Sequence, residues 1–546
     1  MKLVIIGAVA AGTSAAAKAR RNTEDAEIVI YERDSWISYS GCGMPYFLGG
    51  DIADADELTP RNPEFFWTKY RVAVHTRHEV LRIDPNSKTL HVQDTASGRE
   101  FTDTYDVLIL ATGASAVLPP VPGAESEHVF SLRTIGDMHN IHTYLQRAEP
   151  KSAVIVGSGF IGLEMAENLV HRGLQVKVVE MLPQVTPGLD SDMACYVEHH
   201  VREHGVEVYT DVSAAGISGS QVTLSDGTVL QADMVLMATG VRPNTRLAEA
   251  AGIKLGSTGA IQVDRRMRTD LPDIYACGDC SEQFHVVTGQ PVYRPLGSTA
   301  NKTGRIAGDC ATGGSLEFRG VLGTGIFRVF DLTVAQTGLS QRESELLGYD
   351  TVVCHNTKPD KPTYMHGTEM TIKGIADRAT GRLLGVQIVG RDGVDKRLDV
   401  FATAISFKAC VEDLFHLDLG YAPPYSTTKD PVLYTGMILS NAISGGRALI
   451  TADQLKELQR SGSRVQLVDA RAAAQYARNH IESALSLPHA EFRDKIHELD
   501  PNAVSVTYCN KGTTGNAAQN ILLNSGFSSV YNLSGGHKHY TTQDKK

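Results

Sequence analysis

The sequence predicts an α/β protein, and three features of the chain support this. Residues 2–33 follow the order strand, glycine turn, helix and strand, and residues 152–180 repeat that order. Two similar apolar strands, VLILATG at 107–113 and MVLMATG at 234–240, each follow one of these units. A separate α/β unit begins near residue 450, after a glycine-containing linker. Duplicated strand–helix–strand units predict parallel sheets covered by helices.

The second glycine turn is the stronger of the two motifs. Gly157-Ser158-Gly159-Phe160-Ile161-Gly162 is a complete G-x-G-x-x-G that follows a predicted strand at 153–156 and opens a predicted helix at 163–172. Such glycines let a pyrophosphate approach the backbone, and the helix N-terminus favours its charge. Glu180 follows the next strand, where a carboxylate binds a ribose 2′-hydroxyl and repels a 2′-phosphate. This favours NADH over NADPH; a plain glycine-rich turn is the alternative.

The first glycine turn is a degenerate form, Gly7-Ala8-Val9-Ala10-Ala11-Gly12. It lies between a predicted strand at 2–6 and an alanine-rich helix at 13–21, and Glu32 takes the ribose position. Later, Ile274-Tyr275-Ala276-Cys277-Gly278-Asp279 forms an apolar strand ending in Gly-Asp. That arrangement can place the Asp279 carboxylate on the hydroxyls of a flavin ribityl chain. A helix N-cap is the alternative role for Asp279.

Length and composition limit the functional classes. A chain of 546 residues is long enough for roughly three or four domains at about 150 residues each. A net charge of −10 argues against bulk binding of nucleic acid. No apolar run approaches the roughly 20 residues of a membrane span, and the N-terminus reads as a strand rather than a signal peptide. The eight cysteines lack framework spacing, which predicts reduced thiols in a cytoplasm.

Cys42 is the most informative residue, because no cysteine precedes it and the next is Cys195. A single thiol beside a flavin site implies a mixed disulfide, a persulfide or a sulfenic acid. The position five after it is Phe47, which excludes a CxxxxC dithiol. A small buried residue is the alternative reading of Cys42. The pair Cys277 and Cys280 is better explained as part of the flavin motif than as a redox or metal pair.

These motifs resemble the two-dinucleotide flavoprotein disulfide reductase family over about residues 1–445. The resemblance implies two Rossmann-like dinucleotide-binding domains, for FAD and NAD, and an α+β dimerisation domain that makes a homodimer. It also implies that electrons pass from NADH to FAD and then to the thiol. The expected domains are 1–114 with 241–320 for FAD, 115–240 for NAD(P)H, and 321–445 for dimerisation.

The resemblance further implies which residues lie at the two cofactors. The expected cofactor-binding residues are Gly7, Ala10, Ala11, Glu32, Arg33, Val80, Ala111, Arg133, Asp279, Gly157, Gly159, Phe160, Ile161, Gly162, Glu180 and Gly240. Apart from Val80 and Arg133, they belong to the two glycine turns, the strands that follow them, or the Gly-Asp strand.

Among single-cysteine members, the run Cys42-Gly43-Met44-Pro45-Tyr46 resembles the coenzyme A disulfide reductases. That branch usually has Asn where this chain has Gly41. NADH oxidases and peroxidases form another branch, whose peroxidases carry a histidine at the place of Ala10; its absence argues against peroxide chemistry. As a substrate or bound ligand, coenzyme A needs cations for its phosphates. The resemblance places substrate contacts on one face of the first helix and beside the thiol, at Ser14, Lys18, Arg21, Ser38 and Gly41; a solvated helix surface is the alternative.

Two tyrosines are further candidates. Tyr421-Ala422-Pro423-Pro424-Tyr425-Ser426 resembles the YAPPYS segment of the family's dimerisation domain. Tyr425 and Tyr364 match the two tyrosines that the family delivers to the partner subunit's site, although the spelling around Tyr364 departs from the usual Tyr-Pro-Gly. A phenol can donate a proton to a departing sulfur. A packed interface tyrosine is the alternative.

Residues 450–546 resemble a single α/β rhodanese domain. Asp469 and Arg471 form its strand-end pair, and the loop Tyr508-Cys509-Asn510-Lys511-Gly512-Thr513-Thr514-Gly515 leads into a helix. Backbone N–H groups of such a loop stabilise a thiolate and the outer sulfur of a Cys509 persulfide. Thr514 and Gly515 stand where the usual loops carry Arg or Ser, so Lys511 is the only cation of the loop.

Three functional hypotheses follow. The favoured one is FAD-dependent reduction by NADH of coenzyme A persulfide, polysulfide or coenzyme A disulfide through Cys42, with Cys509 delivering sulfane sulfur. The second is an NADH oxidase or peroxidase that uses a cysteine sulfenic acid. The third is a sulfur carrier that hands sulfur to a protein partner. The favoured hypothesis expects coenzyme A and small sulfur compounds as partners, and neither nucleic acid nor a membrane.

Overall fold

The computed structural model describes residues 1–544, and the chain divides into two compact units. The first unit comprises Met1–Pro183 and Gly205–Gly323. The second comprises Gln184–His204 and the chain from Thr324 onward. The predicted α/β class is confirmed, because each unit contains a parallel sheet whose strands are joined through helices. No helix within residues 1–544 is long and apolar enough to cross a membrane.

The first unit opens with a five-stranded parallel sheet. Its strands, in spatial order, are Ile274–Ala276, Val107–Leu110, Lys2–Ile6, Glu27–Glu32 and Val72–Thr76. Leu3, Val4 and Ile5 have no exposed surface, as expected for a central parallel strand that is covered on both faces. The strand Lys2–Ile6 is central in this sheet, since Val4 lies opposite both Val29 and Leu108.

The helix Ala10–Asn22 follows the first strand and packs unusually closely on the helix Gly297–Cys310. A Cβ added at Gly304 would lie 2.2 Å from the carbonyl oxygen of Ala11, and one at Gly308 would lie 2.2 Å from that of Ala15. Small residues spaced four apart on both helices therefore permit direct backbone contact. This contact fixes which side chains of the second helix lie beside the first glycine turn.

A second parallel sheet repeats the plan of the first. Its strands, in spatial order, are Glu207–Tyr209, Gln175–Val179, Ser152–Val156, Met234–Met237 and Val129–Phe130. The helices Ile135–Ala148 and Phe160–His171 belong to this part of the chain. Phe160–His171 begins at the complete glycine motif, as predicted.

Small antiparallel sheets and short helices complete the first unit. The small sheets consist of His78–Asp84, Thr89–Asp94 and Glu100–Thr104; of Ala214–Ser218, Gln221–Leu224 and Val229–Gln231; of Ala114–Ala116 and Val241–Pro243; and of Gln283–Phe284 and Pro291–Val292. The short helices are Gly41–Gly43, Met44–Gly49, Ala55–Leu58, Pro63–Tyr70, Arg246–Ala250 and Gly278–Cys280.

The second unit contains an antiparallel sheet followed by a parallel one. The antiparallel strands, in spatial order, are Gly325–Val329, Leu332–Gly338, Leu383–Gly390, Glu369–Asp377 and Thr351–Pro359. The helices of this part are Ser191–Glu203, Gln341–Leu346, Thr363–Met365, Val394–Ser406, Asp413–His416 and Pro431–Ile443. Ser191–Glu203 falls in the sequence range expected for the NAD(P)H domain yet clusters with this unit. The domain boundaries given above stay a prediction.

The C-terminal part of the second unit is a five-stranded parallel sheet. Its strands, in spatial order, are Leu449–Ile450, Val530–Leu533, Val504–Tyr508, Val465–Asp469 and Leu485–Ser486. Its helices are Ala452–Arg460, Ala473–Arg478, Phe492–Lys495, Ile496–Glu498, Thr513–Asn524 and Gly536–Gln543. The central strand brings Cys509 to the carboxyl end of the sheet, where α/β proteins bind their ligands.

Candidate active sites

Cys42 lies in the one-turn helix Gly41–Gly43, directly before the helix Met44–Gly49. The segment is tied to the first glycine turn, because the Ser38 N–H donates to the carbonyl oxygen of Ala8 at 2.8 Å. Met44 and Phe47 are buried below it, whereas Cys42 is exposed. The structure therefore does not bury Cys42 as a core residue, and it places the thiol beside the flavin-type turn.

Three charged side chains act on the Cys42 thiol. Partial removal from water raises its pKa, and the carboxylates of Glu164 and Asp279 raise it further. Arg133 opposes them and lowers the pKa. Sequence reasoning missed Glu164, which lies 122 positions after Cys42 on the helix Phe160–His171. Its carboxylate accepts a hydrogen bond from the Tyr46 hydroxyl at 3.2 Å. A residue that distant carries no local signal.

Arg133 and Asp279, both expected to bind the cofactors, form an ion pair with each other. Arg133 Nη2 donates to Asp279 Oδ2 at 2.7 Å, and its Nε donates to the carbonyl oxygen of Ala114 at 3.0 Å. The Tyr293 hydroxyl donates to the backbone carbonyl of Asp279 at 2.9 Å. The Asp279 carboxylate thus accepts from a guanidinium instead of capping a helix. It lies in Gly278–Cys280, immediately after the apolar strand that was predicted to carry it.

The two glycine turns have matching geometry. Gly7 has φ +106° and Gly157 has φ +103°. A Cβ at these positions would lie 2.2 Å from the oxygen of Ala111 and 2.4 Å from that of Ala238. Both glycines are therefore required for the strand-to-helix turn. Gly159, by contrast, faces open space, since an added Cβ would meet nothing within 4 Å; a pyrophosphate could approach there.

Each turn is held by the acid that follows the second strand. Glu32 Oε2 accepts from the Ala8 N–H at 2.7 Å, and Glu180 Oε2 accepts from the Ser158 N–H at 3.0 Å and the Ser158 hydroxyl at 2.7 Å. Both carboxylates are buried. Burial raises the pKa of Glu32, and the hydrogen bonds to Ala8 and Asp34 partly offset that effect. The same arrangement occurs twice, as expected for two dinucleotide sites.

The other predicted cofactor residues are distributed around these turns. Ala10 and Ala11 begin the helix Ala10–Asn22, and Phe160 and Ile161 begin Phe160–His171. Arg33 is exposed directly after Glu32. Three more lie near strand ends or within the first core: Val80, Ala111 and Gly240. These residues stay predicted contacts, because their roles depend on bound cofactors.

The predicted coenzyme A residues on the first helix point to two different neighbours. Ser14 donates to Asn301 Oδ1 at 2.6 Å, and Lys18 forms an ion pair of 2.9 Å with Asp309. Both partners lie on Gly297–Cys310. Arg21 is exposed and lies over the ring of Tyr70, with its guanidinium carbon 5.8 Å from the ring centroid. Lys18 is thus already neutralised, whereas Arg21 remains available to an anion.

Basic and aromatic side chains cluster beside Arg21 on the helix Pro63–Tyr70. The Lys69 ammonium lies 5.3 Å from the ring centroid of Phe65, and the Arg71 guanidinium lies 5.4 Å from that of Trp67. Trp67 is 52% exposed. Flat rings beside cations suit a ligand that carries both a planar base and phosphates.

Tyr364 and Tyr425 are strongly exposed, at 69% and 71%. One buried residue holds both of their loops. Arg397, which is 1% exposed, donates to the carbonyl oxygen of Asp360 at 2.8 Å, to Ser426 Oγ at 3.1 Å and to Asp430 Oδ2 at 2.7 Å. Sequence reasoning missed Arg397, because the contacts that define it join three separate segments.

Cys509 lies in the loop between Val504–Tyr508 and Thr513–Asn524. Its Sγ accepts from the Gly512 N–H at 3.2 Å. The loop is fixed from the other side, because the N–H of His537 donates to the carbonyl oxygen of Cys509 at 2.8 Å. The predicted pair forms, with Arg471 Nη2 2.7 Å from Asp469 Oδ2. The described loop therefore presents at least one N–H to the sulfur.

The cations around the Cys509 loop differ from the prediction. Lys511 and Lys538 both form ion pairs with Glu369, on the strand Glu369–Asp377. Burial opposes ionisation of Glu369, but the two ammonium groups lower its pKa. Lys511 thus shares a single counter-ion with Lys538. Another lysine, Lys358 on the strand Thr351–Pro359, reaches the loop and donates to Thr513 Oγ1 at 3.3 Å.

A buried network joins His539 to the antiparallel sheet. His355 stacks on His539 with ring centroids 3.9 Å apart, and its Nε2 lies 2.8 Å from Asp192 Oδ2. The Lys373 ammonium donates to both oxygens of Asp192 at 2.8 Å. These carboxylate and imidazole groups could suit a metal ion by spacing, but Lys373 already supplies the positive charge.

The remaining cysteines are buried, except for Cys410, which is partly exposed. Cys277 and Cys280 have no exposed surface, and Cys280 Sγ donates to the carbonyl oxygen of Cys277 at 3.2 Å. Burial raises the pKa of both thiols. This agrees with the interpretation of the pair as part of the flavin motif.

Residues 1–297 match the family described as pyridine nucleotide-disulphide oxidoreductase. Residues 326–431 match the dimerisation domain of that family, and residues 451–543 match the rhodanese-like domain. The expected combination of a disulfide reductase, its dimerisation domain and a C-terminal rhodanese is thereby confirmed.

Individual proteins resemble this chain over most or all of its length. The NAD(P)H sulfur oxidoreductase (CoA-dependent) of Pyrococcus furiosus is 36% identical over 444 residues, which cover 80% of this chain and 99% of that protein. The reduced CoADR-RHD of Bacillus anthracis has a TM-score of 0.97 at 37% identity and matches over 99% of this chain and 98% of its own. The NAD-dependent persulfide reductase of A. fulgidus has a TM-score of 0.92 at 36% identity, over 99% and 100% of the two chains.

Proposed function

The chain belongs to the pyridine nucleotide-disulphide oxidoreductase family and carries a rhodanese-like domain, and we propose that it reduces coenzyme A persulfide, polysulfide or coenzyme A disulfide with NADH. The position of Cys42 carries this proposal. It is an exposed thiol beside the first glycine turn and close to the charges of Arg133 and Asp279. The names of the related proteins, which mention CoA, sulfur and persulfide, support the substrate class.

The residues of the first unit fit FAD and a nicotinamide dinucleotide. The turn at Gly7, the buried Glu32 and the Arg133–Asp279 pair would hold FAD, and the turn at Gly157 with Glu180 would hold NADH. Bound FAD would supply two-electron transfer between the nicotinamide and a sulfur. Glu180 would favour NADH, since a 2′-phosphate would lie against its carboxylate.

The chemistry of Cys42 begins with its thiolate. It attacks the coenzyme A sulfur of a persulfide, the bond between the two substrate sulfurs breaks, and hydrosulfide leaves with the electron pair. With coenzyme A disulfide the leaving group is a coenzyme A thiolate. Either route gives a mixed disulfide of Cys42 and coenzyme A. Two electrons from NADH then cleave it to two thiolates, so each turnover consumes one NADH.

Coenzyme A binding would use the exposed cations of the first unit. Arg21, Lys69 and Arg71 can contact its phosphates, and the rings of Phe65, Trp67 and Tyr70 can pack on its adenine. Ser38 and Gly41 lie on the cysteine segment, where the pantetheine thiol must arrive. Lys18 would serve indirectly by holding the helix pair together through Asp309.

The dimerisation domain suggests a homodimer. In that assembly the exposed Tyr364 and Tyr425 of one chain would complete the Cys42 site of the second copy and protonate the departing sulfur. Cys509 would collect sulfane sulfur as a persulfide and pass it to coenzyme A, which makes the persulfide that Cys42 consumes.

Replacement of Cys42 tests the proposal. Cys42→Ser is expected to abolish NADH oxidation driven by coenzyme A persulfide and by coenzyme A disulfide, while FAD remains bound. Cys410→Ser, at a partly exposed cysteine outside both sites, is the matched control and should keep the wild-type rate. Undiminished turnover in Cys42→Ser would contradict the proposal. Rapid NADH oxidation by oxygen or peroxide, independent of coenzyme A compounds, would support an oxidase instead.

A further inference from the structure

The Cys509 loop itself offers little positive charge to bind an anionic sulfur donor. Sulfane-sulfur donors such as thiosulfate are anions, and rhodanese loops normally meet them with a cation. Here Thr514 and Gly515 are uncharged, and Lys511 is paired with Glu369. Lys538, on the helix Gly536–Gln543, is paired with the same carboxylate. The single charge of Glu369 therefore offsets one of the two positive charges that Lys511 and Lys538 contribute, and both ammonium groups are held at this carboxylate.

Lys358 is placed differently. It lies at the end of the strand Thr351–Pro359 of the dimerisation domain and reaches the first residue of the helix Thr513–Asn524, with Nζ 3.3 Å from Thr513 Oγ1. Thr513 follows Gly512, whose N–H donates to Cys509 Sγ. Within residues 1–544, no carboxylate lies within ion-pair distance of the Lys358 ammonium. Its charge acts on Cys509 without a counter-ion.

The ammonium of Lys358 is also held in position. It lies 4.1 Å from the ring centroid of Tyr434, on the helix Pro431–Ile443, in cation–π geometry. Burial lowers the pKa of Lys358, and the charges of Lys511 and Lys429 lower it further. A half-buried cation that faces like charges gains more from an arriving anion than an exposed one does.

We propose that Lys358 is the anion-binding residue of the Cys509 site, so that the dimerisation domain completes the rhodanese-like site. It would bind the charged end of a small dianionic sulfane-sulfur donor, with thiosulfate as the simplest case. This rests on the proposed function, in which Cys509 accepts sulfane sulfur. Lys358 acts as a binding and specificity residue and does not itself exchange atoms.

The reaction that it assists is balanced without a redox partner. The Cys509 thiolate attacks the outer sulfur of thiosulfate, and a bond forms between that sulfur and Sγ. The sulfur–sulfur bond of thiosulfate breaks, and sulfite leaves with the electron pair. Lys358 would bind the charged end of thiosulfate, which then leaves as sulfite and is not bonded to Cys509. We therefore expect Lys358 to affect binding of thiosulfate more than the limiting rate of sulfur transfer.

Single-turnover sulfite release by the full-length, FAD-loaded protein tests this. The rate is measured against thiosulfate concentration for the wild type, Lys358→Met, Lys358→Arg and Lys429→Met. Lys358→Met is expected to raise the half-saturating concentration about 10- to 100-fold while changing the limiting rate less than about threefold. Lys358→Arg keeps the charge and should recover most of the loss. Lys429→Met removes an exposed neighbouring cation and should behave as the wild type.

The outcomes separate the two levels of the proposal. An unchanged half-saturating concentration in folded Lys358→Met would overturn the role of Lys358 and leave sulfur loading of Cys509 intact. A wild type that releases no sulfite, and whose Cys509 gains no sulfur from polysulfide, would overturn the carrier role and this inference with it. FAD content and thermal midpoint report folding. If Lys358→Met fails to fold, Lys358→Gln, which keeps a donor to Thr513 without the charge, decides the question.

Discussion

At the scale of single residues, the chemistry depends on which charges surround each sulfur. Partial burial and the carboxylates of Glu164 and Asp279 raise the pKa of the Cys42 thiol, and Arg133 lowers it. Cys42 and Asp279 were identified because each lies in a recognisable motif, and Arg133 was expected from the family resemblance. Glu164 and Lys358 escaped sequence reasoning, because their relevance arises only when distant segments fold together. The local pattern therefore predicted the reacting atoms better than their electrostatic surroundings.

Arg133 is expected to keep Cys42 reactive. Arg133→Met removes the charge that lowers the Cys42 pKa, so that pKa rises and the thiolate fraction at neutral pH falls. Alkylation of Cys42 measured against pH should show its midpoint displaced upward. Arg99→Met, at an exposed arginine, is the control. A midpoint that stays in place or moves downward would contradict the assignment.

Glu180 is expected to select the nicotinamide. Glu180→Gln removes the negative charge and weakens the hydrogen bond that the side chain accepts from the ribose 2′-hydroxyl. The KM for NADH should therefore rise about tenfold. Discrimination against NADPH should relax, because the repulsion of a 2′-phosphate is lost. The ratio of kcat/KM for the two coenzymes measures this, with Glu207→Gln on the neighbouring strand as control. If the kcat/KM ratio of Glu180→Gln equals that of the wild type, Glu180 does not select NADH over NADPH.

At the scale of elements, the strands and glycine turns follow from the sequence and the loops do not. The helix predicted at 13–21 extends over Ala10–Asn22, and the strands at 2–6 and 175–179 lie where periodicity placed them. Buried parallel strands are apolar throughout, so a short stretch of sequence is enough to predict their positions. The tyrosine loops depend instead on Arg397, whose partners lie in two separate segments of the chain, one with Asp360 and one with Ser426 and Asp430.

Arg397→Met is expected to release both tyrosine loops and to leave Asp430 buried without its partner. Removal of one member of a buried ion pair costs about 3–5 kcal/mol in the free energy of unfolding. The thermal midpoint should therefore fall, and kcat should fall with it if Tyr364 and Tyr425 assist the thiolate. Arg391→Met removes an arginine exposed on the same domain and serves as control. A wild-type kcat together with a wild-type midpoint would contradict this role.

At the scale of the whole molecule, two compact units carry the two sulfur sites. The sequence indicated the order of the domains, since each contains its own motif. It did not indicate that the segment Gln184–His204 clusters with the second unit, or that Asp192 on this segment meets His355 and Lys373. Asp192 lies 163 positions before His355 and 181 before Lys373, and it shares no motif with them.

This network makes stability depend on acid. Burial would raise the pKa of Asp192, but Lys373 and His355 lower it well below its ordinary value. Because the folded pKa lies below the unfolded one, the stabilisation is complete above the unfolded pKa of about 4 and is lost as the pH falls below it. Asp192→Asn should lower the free energy of unfolding by about 3–5 kcal/mol at pH 7 and flatten its decline between pH 5 and pH 3. Urea unfolding across that range measures both effects; an unchanged slope would contradict them.

The central claim is that a coenzyme A sulfur becomes bonded to Cys42 and is released by electrons from NADH. The direct measurement is mass spectrometry of the protein mixed anaerobically with coenzyme A persulfide, before and after one equivalent of NADH. The account predicts coenzyme A attached through a disulfide to the peptide that contains Cys42, and its loss as free coenzyme A when NADH is added. Coenzyme A on another cysteine, or an adduct at Cys42 that NADH does not remove, would contradict it.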